Sequence, residues 1–540
     1  MALIPVLLFA VLAGGCGSGG GESRVEQGDR EGILHITVGA EPEDLDPHIV
    51  TGVPEHHIMT SIIEGLVTEH PETLEPQPGV AERWERSEDG LTWTFFLREN
   101  AQWSNGTPVT ASDFVQSFQR ILTPSLASKY SYMLFVMKNA EAFANGEITD
   151  FAEVGAKALD DRTLQIELGA PTPYFLSLLN HYTWFPVPID VVAEHGALDQ
   201  RGNRWTRPEN FVGNGAFTLS YWRTNDKIVV EKSPTYWNAE NVPLNAIHFY
   251  SMESQNTQEN AFRAGQLHNV YDMPLDKIQV YQRDNPDLIH IYPYLSTYFY
   301  RLNTSKAPFD DVRVRRALAM AVDRQKIVEY VTKGGQIPAF NLTPPNTAGF
   351  TAEAQFSEDL EEAKRLLAEA GYPNGEGMPP VEILFNTHES HRSIAEAVQQ
   401  MWLTNLGVRA ELINQEWKVY LDRQRNLDYQ VSRAGWTGDY PDPNTFMDMF
   451  TSWSQQNQTG WSNEEYDDLI RSAATTFDPV ERYEYFHQAE ALIMQEMPII
   501  PLYFYTRVYA LRPSVQGWSK NVLDHHPYQH ISLTPPTVAE

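Results

Sequence analysis

Histidine and acidic side chains are the residues of this sequence that could do metal or hydrolytic chemistry. His388 and His391 lie three positions apart, whereas the two zinc-binding histidines of a metalloprotease helix lie four apart. The pairs His56-His57 and His525-His526 are adjacent and do not share a helix or strand face, so surface histidines are favoured over metal ligands. The sequence lacks a GxSxG elbow, a Walker A loop and a GxGxxG turn after a strand. It therefore predicts no catalytic residue, no metal and no cofactor.

Charge and cysteine content narrow the function classes further. The 540 residues include 71 acidic and 40 basic side chains, a formal net charge of −31. This charge argues against nucleic acid and anionic lipid headgroups as partners, because both bind clustered Lys and Arg. The single cysteine excludes an intrachain disulfide, a cysteine-based zinc site and a CxxC redox pair. The length predicts more than one lobe, since single cores stop growing near ~250–300 residues.

The cysteine follows a short apolar run at the N-terminus. Residues 3–13 are too few to span a bilayer, which takes ~20 residues, and they suit the core of a signal peptide. Leu12-Ala13-Gly14-Gly15-Cys16 resembles the lipobox of bacterial lipoproteins, in which the thiol is acylated. The usual basic residues are missing from 1–5, which leaves the translation start open, and a structural cysteine is the alternative. We expect a signal peptide over 1–15 and a lipid-anchored Cys16 with a flexible linker over 16–32.

The body alternates helical and strand patterns. Helices are predicted over 312–333 and over 357–370, the second with Ser357 as its N-cap. Residues 381–386, 390–406 and 408–413 read as strand, helix and strand, which is a βαβ unit with parallel strands. A late helix is predicted from Asp478-Pro479 to about residue 496, and a strand follows over 499–510. The fold class is therefore α/β, in more than one lobe.

Several sequence blocks carry a resemblance to a known family. They include EGL at 64–66, WSNGTPVTA at 103–111, GNGAF at 213–217, PFDDVRVR at 308–315 and GWTGDY at 435–440. In this order they resemble the bacterial extracellular solute-binding proteins of the oligopeptide and dipeptide class, which serve ABC importers. The resemblance covers about residues 33–517, and Ser128-Lys129-Tyr130 favours the oligopeptide members.

The resemblance implies a two-lobed clamshell of the periplasmic-binding-protein type, with an extra domain inserted in the first lobe. The first lobe is expected over 33–63, 190–295 and 507–540. The inserted domain is expected over 64–189, and the second lobe over 296–506. Ligand binds in the cleft, and the lobes close over it by a hinge motion.

The resemblance also implies residues for a peptide's amino terminus. Asp439, in the Gly-Trp-x-x-Asp-Tyr block, is expected to pair with the α-amino group. The alternative is that Asp439 only caps the loop over 439–443. Tyr130 is expected to help position the same end of the peptide, and Val53 to contribute backbone groups. The side-chain pockets are expected to be walled by Trp417, Trp436, Tyr271 and Tyr294.

The carboxyl terminus needs basic partners, and Arg433 and His391 fall on family positions used for it. Gln424 and Thr332 depart from the family pattern, with neutral residues where it has basic ones, which leaves peptide length open. Arg301 lies in a segment that lines the cleft in relatives, and an arginine there predicts a preference for acidic side chains.

We therefore expect a receptor that captures short peptides and delivers them to the permease of an ABC importer. It is expected to be a monomer, lipid-anchored in the periplasm or at the cell surface of a bacterium, and not an enzyme. The alternatives are the same fold with a sugar, an opine or a metal chelate as ligand, and a secreted hydrolase without a recognisable motif. A signalling role of the closed receptor is compatible with the sequence.

Overall fold

The structure of the protein, a computed structural model, describes residues 22–476 and 478–535. The predicted signal peptide and Cys16 lie outside the described residues. Within the described residues no helix is both long and apolar enough to cross a membrane.

Strands occur along the whole described chain. They are β1 (Ile33–Gly39), β2 (Val67–Glu69), β3 (Pro76–Pro78), β4 (Ala81–Arg86), β5 (Thr92–Leu97), β6 (Ala156–Asp160), β7 (Thr163–Glu167), β8 (Phe217–Arg223), β9 (Lys227–Lys232), β10 (Ala246–Ser251), β11 (Asn269–Val270), β12 (Ile289–Leu302), β13 (Ile337–Pro338), β14 (Val381–Asn386), β15 (Ala410–Gln415), β16 (Val431–Thr437), β17 (Ile499–Leu511), β18 (Val515–Gln516) and β19 (Ser532–Leu533).

The α-helices alternate with these strands. They are α1 (Arg24–Glu31), α2 (Val53–Ile62), α3 (Ala111–Leu122), α4 (Ala140–Ala144), α5 (Phe175–Leu178), α6 (Ile189–Glu194), α7 (Gln255–Arg263), α8 (Ile278–Asp284), α9 (Val312–Met320), α10 (Arg324–Lys326), α11 (Leu360–Glu369), α12 (Glu389–Leu406), α13 (Trp417–Arg425), α14 (Asn444–Met447), α15 (Glu464–Thr475) and α16 (Pro479–Glu496).

Three larger sheets organise the fold. The first has the order β1-β10-β9-β8, and the second has the order β11-β17-β12-β16-β14-β15 with β13 beside β17. The third, β4-β5-β7-β6, is antiparallel and lies within the predicted inserted domain. Parallel pairs occur at β1 with β10, and at β14 with β15 and β16. The predicted α/β class in two lobes is confirmed.

The predicted βαβ unit is present as β14, α12 and β15. Residues 381–386 pair in parallel with 410–415, and Gly407 ends the intervening helix with a left-handed backbone. This unit could be predicted because each of its signals is local: alternating apolar residues, a helical stripe and a glycine stop. The late helix also begins as predicted, with Asp478 as the N-cap and Pro479 in the first turn.

Two helix predictions need correction. The helix predicted over 312–333 is broken: α9 ends at Met320, and α10 and a π-helix over Ile327–Thr332 follow. The chain leaves the helical conformation at Asp323, which caps α10, and the buried Arg324 guanidinium donates to the Ala319 and Val322 carbonyls beside the break. The predicted N-cap Ser357 is wrong, since Asp359 caps α11. Glu358 is drawn away from that helix by the Arg324 backbone N–H, at 2.9 Å.

The linker predicted over 16–32 is shorter than expected. Ser23 and Glu26 form a capping box that starts α1, and Val25 is buried. The Val25 N–H donates to the Gly265 carbonyl at 2.9 Å, so α1 packs on the body of the protein.

Two long neighbouring strands, β12 and β17, connect the two halves of the second sheet. Their pairing register shifts between Pro293 and Thr297, close to the predicted lobe limits at 295/296 and 506/507. A register shift marks a place where a sheet bends. The domain limits themselves stay predictions.

Candidate functional site

A cavity of about 360 Å³ lies between the predicted lobes. Small-molecule sites in proteins typically have volumes of about 300–1,000 Å³. All ten ligand-site residues expected from the sequence line this cavity, and so do the departures Gln424 and Thr332. The ten are Val53, Tyr130, Tyr271, Tyr294, Arg301, His391, Trp417, Arg433, Trp436 and Asp439. The structure thus brings them together, while the role of each stays a prediction.

An unpaired strand edge runs along the cavity. β16 pairs with β12 over its whole length but with β14 only at Val431 and Ser432. The Gly438 N–H donates to the Leu295 carbonyl at 2.8 Å, which fixes the alternation of hydrogen-bonded residues in the β12–β16 pair. By that alternation, Gly435 and Thr437 direct their N–H and C=O groups away from β12. Both residues line the cavity, so these groups are open to a ligand backbone.

The carboxylate of Asp439 lies just beyond the end of β16. Its side chain is 12% exposed, and burial raises its pKa to about 7. Tyr130 donates its hydroxyl proton to Asp439 Oδ1 at 3.4 Å, and His181 Nε2 lies 3.4 Å from the same oxygen. Burial lowers the pKa of His181 to about 3, so both neighbours are neutral at pH 7. No Lys or Arg nitrogen of the described residues lies within 4.0 Å of the Asp439 carboxylate, and the charge nearest in effect is that of His525, at longer range.

The loop after Asp439 is capped by another residue. The Asn444 N–H donates to Asp442 Oδ1 at 2.9 Å. Asp439 takes part in the loop through its backbone, whose N–H donates to Thr445 Oγ1 at 2.9 Å. The Asp439 carboxylate also has a side-chain hydrogen bond with Thr445, and loop capping stays the alternative to ligand binding.

The opposite end of the free edge carries Arg433. Its Nη2 donates to the Tyr505 hydroxyl at 2.9 Å, and its guanidinium carbon lies 5.1 Å from the centre of the Tyr298 ring. Arg433 Nε is buried without an acceptor, and no Asp or Glu oxygen of the described residues lies within 4.0 Å of the guanidinium. His391 is buried nearby, its Nδ1 has no partner, and burial lowers its pKa well below 6.5.

Aromatic side chains wall the cavity between these two ends. The Trp436 indole N–H donates to the Thr445 carbonyl at 2.6 Å, whereas the buried indole N–H of Trp417 has no acceptor. Tyr271 lies under the guanidinium of Arg507 at 4.5 Å. Thr437 Oγ1 donates to the Tyr294 hydroxyl at 3.3 Å. Trp436, Tyr271 and Tyr294 are thus held by contacts on the protein side.

The interpretation of the two histidine pairs as surface residues needs correction. The rings of His56 and His525 stack at 4.4 Å, and His57 is buried against His526. Burial lowers the pKa of His57 to about 3. His525 is held by Glu69 at 2.5 Å. No sequence signal could have found this cluster, because its members are about 470 positions apart along the chain.

These histidines form no metal site. No group of three or more His, Cys, Asp or Glu side chains within 22–476 and 478–535 could hold a metal ion.

Contacts across the cleft hold the predicted lobes together. Arg425 forms a bidentate ion pair with Glu43, at 2.7 and 3.1 Å. Glu389, the first residue of α12, accepts from the Ser254 hydroxyl at 2.8 Å and from the Gln255 N–H at 3.1 Å. Each pair joins the first lobe to the second, so the cleft is closed in this structure.

Comparison with known proteins identifies relatives along nearly the whole chain. The sequence model of the bacterial extracellular solute-binding proteins, family 5 Middle, matches residues 75–458. The periplasmic oligopeptide-binding protein OppA of Salmonella typhimurium is 38% identical over 511 residues, 93% of this chain and 92% of that protein. These matched proteins are named as binding proteins and not as enzymes.

Solved structures agree with the sequence matches. Haemophilus influenzae OppA in complex with RPPGFSPFR is 36% identical, with a TM-score of 0.89 over 93% of this chain and 99% of that chain. The murein tripeptide-binding protein MppA of Escherichia coli is also 36% identical, with a TM-score of 0.89 over 93% of this chain and 98% of that chain. For the unliganded open form of MppA the TM-score is 0.63, with 93% and 97% covered. The low score against the open form agrees with a closed cleft here.

Proposed function

The chain belongs to the bacterial extracellular solute-binding proteins of family 5, and on that basis we propose that it is the peptide-binding receptor of an ABC importer. It captures short peptides in the closed cleft and delivers them to the membrane permease. The observation that carries the proposal is the free edge of β16, with a carboxylate that lacks a Lys or Arg partner at one end and a guanidinium that lacks an Asp or Glu partner at the other. A zwitterionic peptide is complementary to that arrangement.

The peptide backbone is proposed to add as a strand to β16. Its N–H and C=O groups then pair with those of Gly435 and Thr437, as in other cases of strand addition to a sheet edge. Gly435 has no side chain, which lets another backbone approach closely. Backbone pairing is independent of the ligand's sequence, so this mode supports broad specificity.

Asp439 is proposed to bind the α-ammonium group, with Tyr130 orienting the carboxylate. Arg433 is proposed to bind the α-carboxylate, with His391 beside it. Asp439 and Arg433 are six residues apart, or ~20 Å along a strand at ~3.3 Å per residue. An extended peptide of roughly four residues bridges that distance, given the reach of the Arg433 side chain.

The receptor is proposed to act as a monomer that binds its peptide without converting it.

Mass spectrometry of ligand released from the purified protein by denaturation tests the proposed function. The expected result is a mixture of intact short peptides with free termini. A sugar, an opine or a metal chelate as the released ligand would contradict the proposal, and cleaved products after incubation with a defined peptide would contradict the absence of catalysis.

Peptide affinity is expected to depend on pH through Asp439. Below about pH 7 the carboxyl of the empty site is protonated, and binding an ammonium must release that proton. Affinity therefore falls by up to about tenfold per pH unit as the pH drops below ~7. Above about pH 8 affinity falls again, because the peptide's α-amino group loses its proton near pH 7.7–8.0.

Titration calorimetry across about pH 5–9 measures this profile. Other titratable groups act on Asp439, among them the carboxyl of Asp448, whose pKa burial raises well above its usual value. Tyr130 has a pKa well above 10 and stays neutral, and His181 also stays neutral. His525 gains charge as the pH falls, because Glu69 raises its pKa against the effect of burial. Asp439→Asn is the control, and its affinity for peptide should no longer fall as the pH drops below ~7. If the affinity of Asp439→Asn still falls as the pH drops below ~7, another group such as His525 or Asp448 is responsible, and the prediction is contradicted.

Cys16 is proposed as the site of lipid attachment, which is supported by the preceding apolar run, the small residues at 13–15 and the Gly/Ser segment after it. The Gly/Ser-rich sequence over 17–21 suits a tether ahead of α1. Cys16→Ser is expected to move the protein from the membrane fraction to the soluble fraction. Unchanged membrane association of Cys16→Ser would contradict the anchor.

A further inference from the structure

Arg301 is a buried arginine whose partners are all neutral. It lies on β12, is 5% exposed and lines the cavity. Its Nη1 donates to Gln458 Oε1 at 2.6 Å and to Gln424 Oε1 at 3.3 Å, and its Nη2 donates to the Gln456 carbonyl at 3.4 Å. No Asp or Glu oxygen of the described residues lies within 4.0 Å of this guanidinium.

Two other arginines of the cavity do have carboxylate partners. Arg425 pairs with Glu43 at 2.7 Å, and Arg507 pairs with Asp524 at 2.7 Å. A charge removed from water without a counter-ion is costly, because amide oxygens replace only part of its hydration. Burial accordingly lowers the pKa of Arg301. The cost is offset if an anion enters the cavity with the ligand.

Two hydrogen-bond donors at this place have no acceptor. Arg301 Nε and Gln456 Nε2 are both buried and unpartnered, and both residues line the cavity. A carboxylate only accepts hydrogen bonds and can take several at once. A water molecule could accept from one of these donors, but it would leave the charge of Arg301 uncompensated.

The position of Arg301 in the sheet indicates which carboxylate it meets. Arg301 pairs with Ser432 across β12 and β16, so its side chain lies on the opposite face of the sheet from that of Arg433. A peptide strand added to the edge of β16 sends alternate side chains to the two faces. Arg301 therefore lies on a face that a ligand side chain can reach, while Arg433 lies on the other.

We propose that Arg301 and Gln456 form a subsite for the carboxylate of an Asp or Glu side chain, so that the receptor prefers acidic short peptides. The inference rests on the proposed peptide-binding function. The same chemistry could come from a peptide's C-terminal carboxylate, so the test has to separate the two sources.

Calorimetry with tetrapeptides of alanine tests the subsite in the wild-type protein. Glu is placed at each position in turn, and each peptide is matched by one with Gln at the same position. At one position Glu is expected to bind at least about tenfold more tightly than Gln. Equal or weaker binding of Glu at every position would overturn the inference. Failure of every peptide to bind, tetra-alanine included, would instead overturn the proposed function.

The variant Gln458→Glu tests whether Arg301 is responsible for the preference. It places a carboxylate where an amide oxygen now lies 2.6 Å from Arg301 Nη1, with little change in volume. The preference for Glu over Gln should disappear, while tetra-alanine binds as before. Gln455→Glu adds the same charge at an exposed neighbouring position and should keep the preference.

C-terminal amides identify the source of the carboxylate. The preference for Glu over Gln is expected to persist in amidated peptides. If amidation removes it, or if Gln458→Glu weakens all free-acid peptides equally, Arg301 binds the C-terminus and the inference fails.

Discussion

Asp439→Asn is expected to weaken the binding of tetra-alanine by about a hundredfold or more. Removing one partner of a buried, hydrogen-bonded ion pair costs about 3–5 kcal/mol, because the other charge is left without compensation. In this cavity the peptide's ammonium would face Tyr130 and His181, both neutral, in place of a carboxylate. Calorimetry on the wild type and the variant at pH 7.5–8 measures the difference.

The stability of Asp439→Asn shows whether a loss of affinity comes from misfolding. Asn has nearly the volume of Asp and can still accept from the Tyr130 hydroxyl. Because the variant removes a buried carboxylate that has no Lys or Arg partner, the melting temperature of the empty protein should stay the same or rise. N-acetylated tetra-alanine should bind the two proteins about equally. Tight binding of the free peptide by Asp439→Asn would contradict the assigned role.

Arg433→Met is expected to weaken the binding of free-acid tetra-alanine by about ten- to hundredfold. A hydrogen bond to a charged group contributes about 1.5–3 kcal/mol, and Arg433 Nε is buried with no protein acceptor in the described chain. Met keeps the apolar length of the side chain, so the packing on Tyr298 is largely retained. Titration with free-acid and C-amidated peptides measures the effect.

The amide peptide separates recognition from a structural role. Amidated tetra-alanine should lose little affinity in Arg433→Met, because it has no carboxylate to lose. Arg409→Met makes the same substitution at an exposed position ahead of β15 and should change neither affinity. An equal loss for acid and amide would show that Arg433 supports the fold of the site and does not bind the terminus.

Local signals explain which parts of the fold could be predicted. The βαβ unit and the helix from Pro479 carry their stripes, caps and stops within a few residues. The break after Met320 could not be predicted from periodicity, because the apolar stripe continues past the point where the chain turns at Asp323. Asp359 caps α11 in place of Ser357, and a helical pattern fixes a helix end only to within one or two residues.

The functional site also has parts that the sequence predicts and parts that it does not. Its lining residues could be inferred from the resemblance, because short motifs such as GWTGDY are specific to the family. The free edge of β16 carries no sequence signal, since it results from β14 ending its pairing at Ser432. The stacking of His56 on His525 likewise depends on how distant segments meet. Pairing and burial of this kind are set by tertiary structure and not by local pattern.

The central claim is that the cleft binds short peptides and recognises both charged ends. Calorimetry of the wild-type protein with tetra-alanine and with N-acetyl tetra-alanine amide tests it most directly. The account predicts clear binding of the free peptide and a loss of at least about a hundredfold for the blocked one. Equal binding of the two, or no binding of any free short peptide, would contradict it.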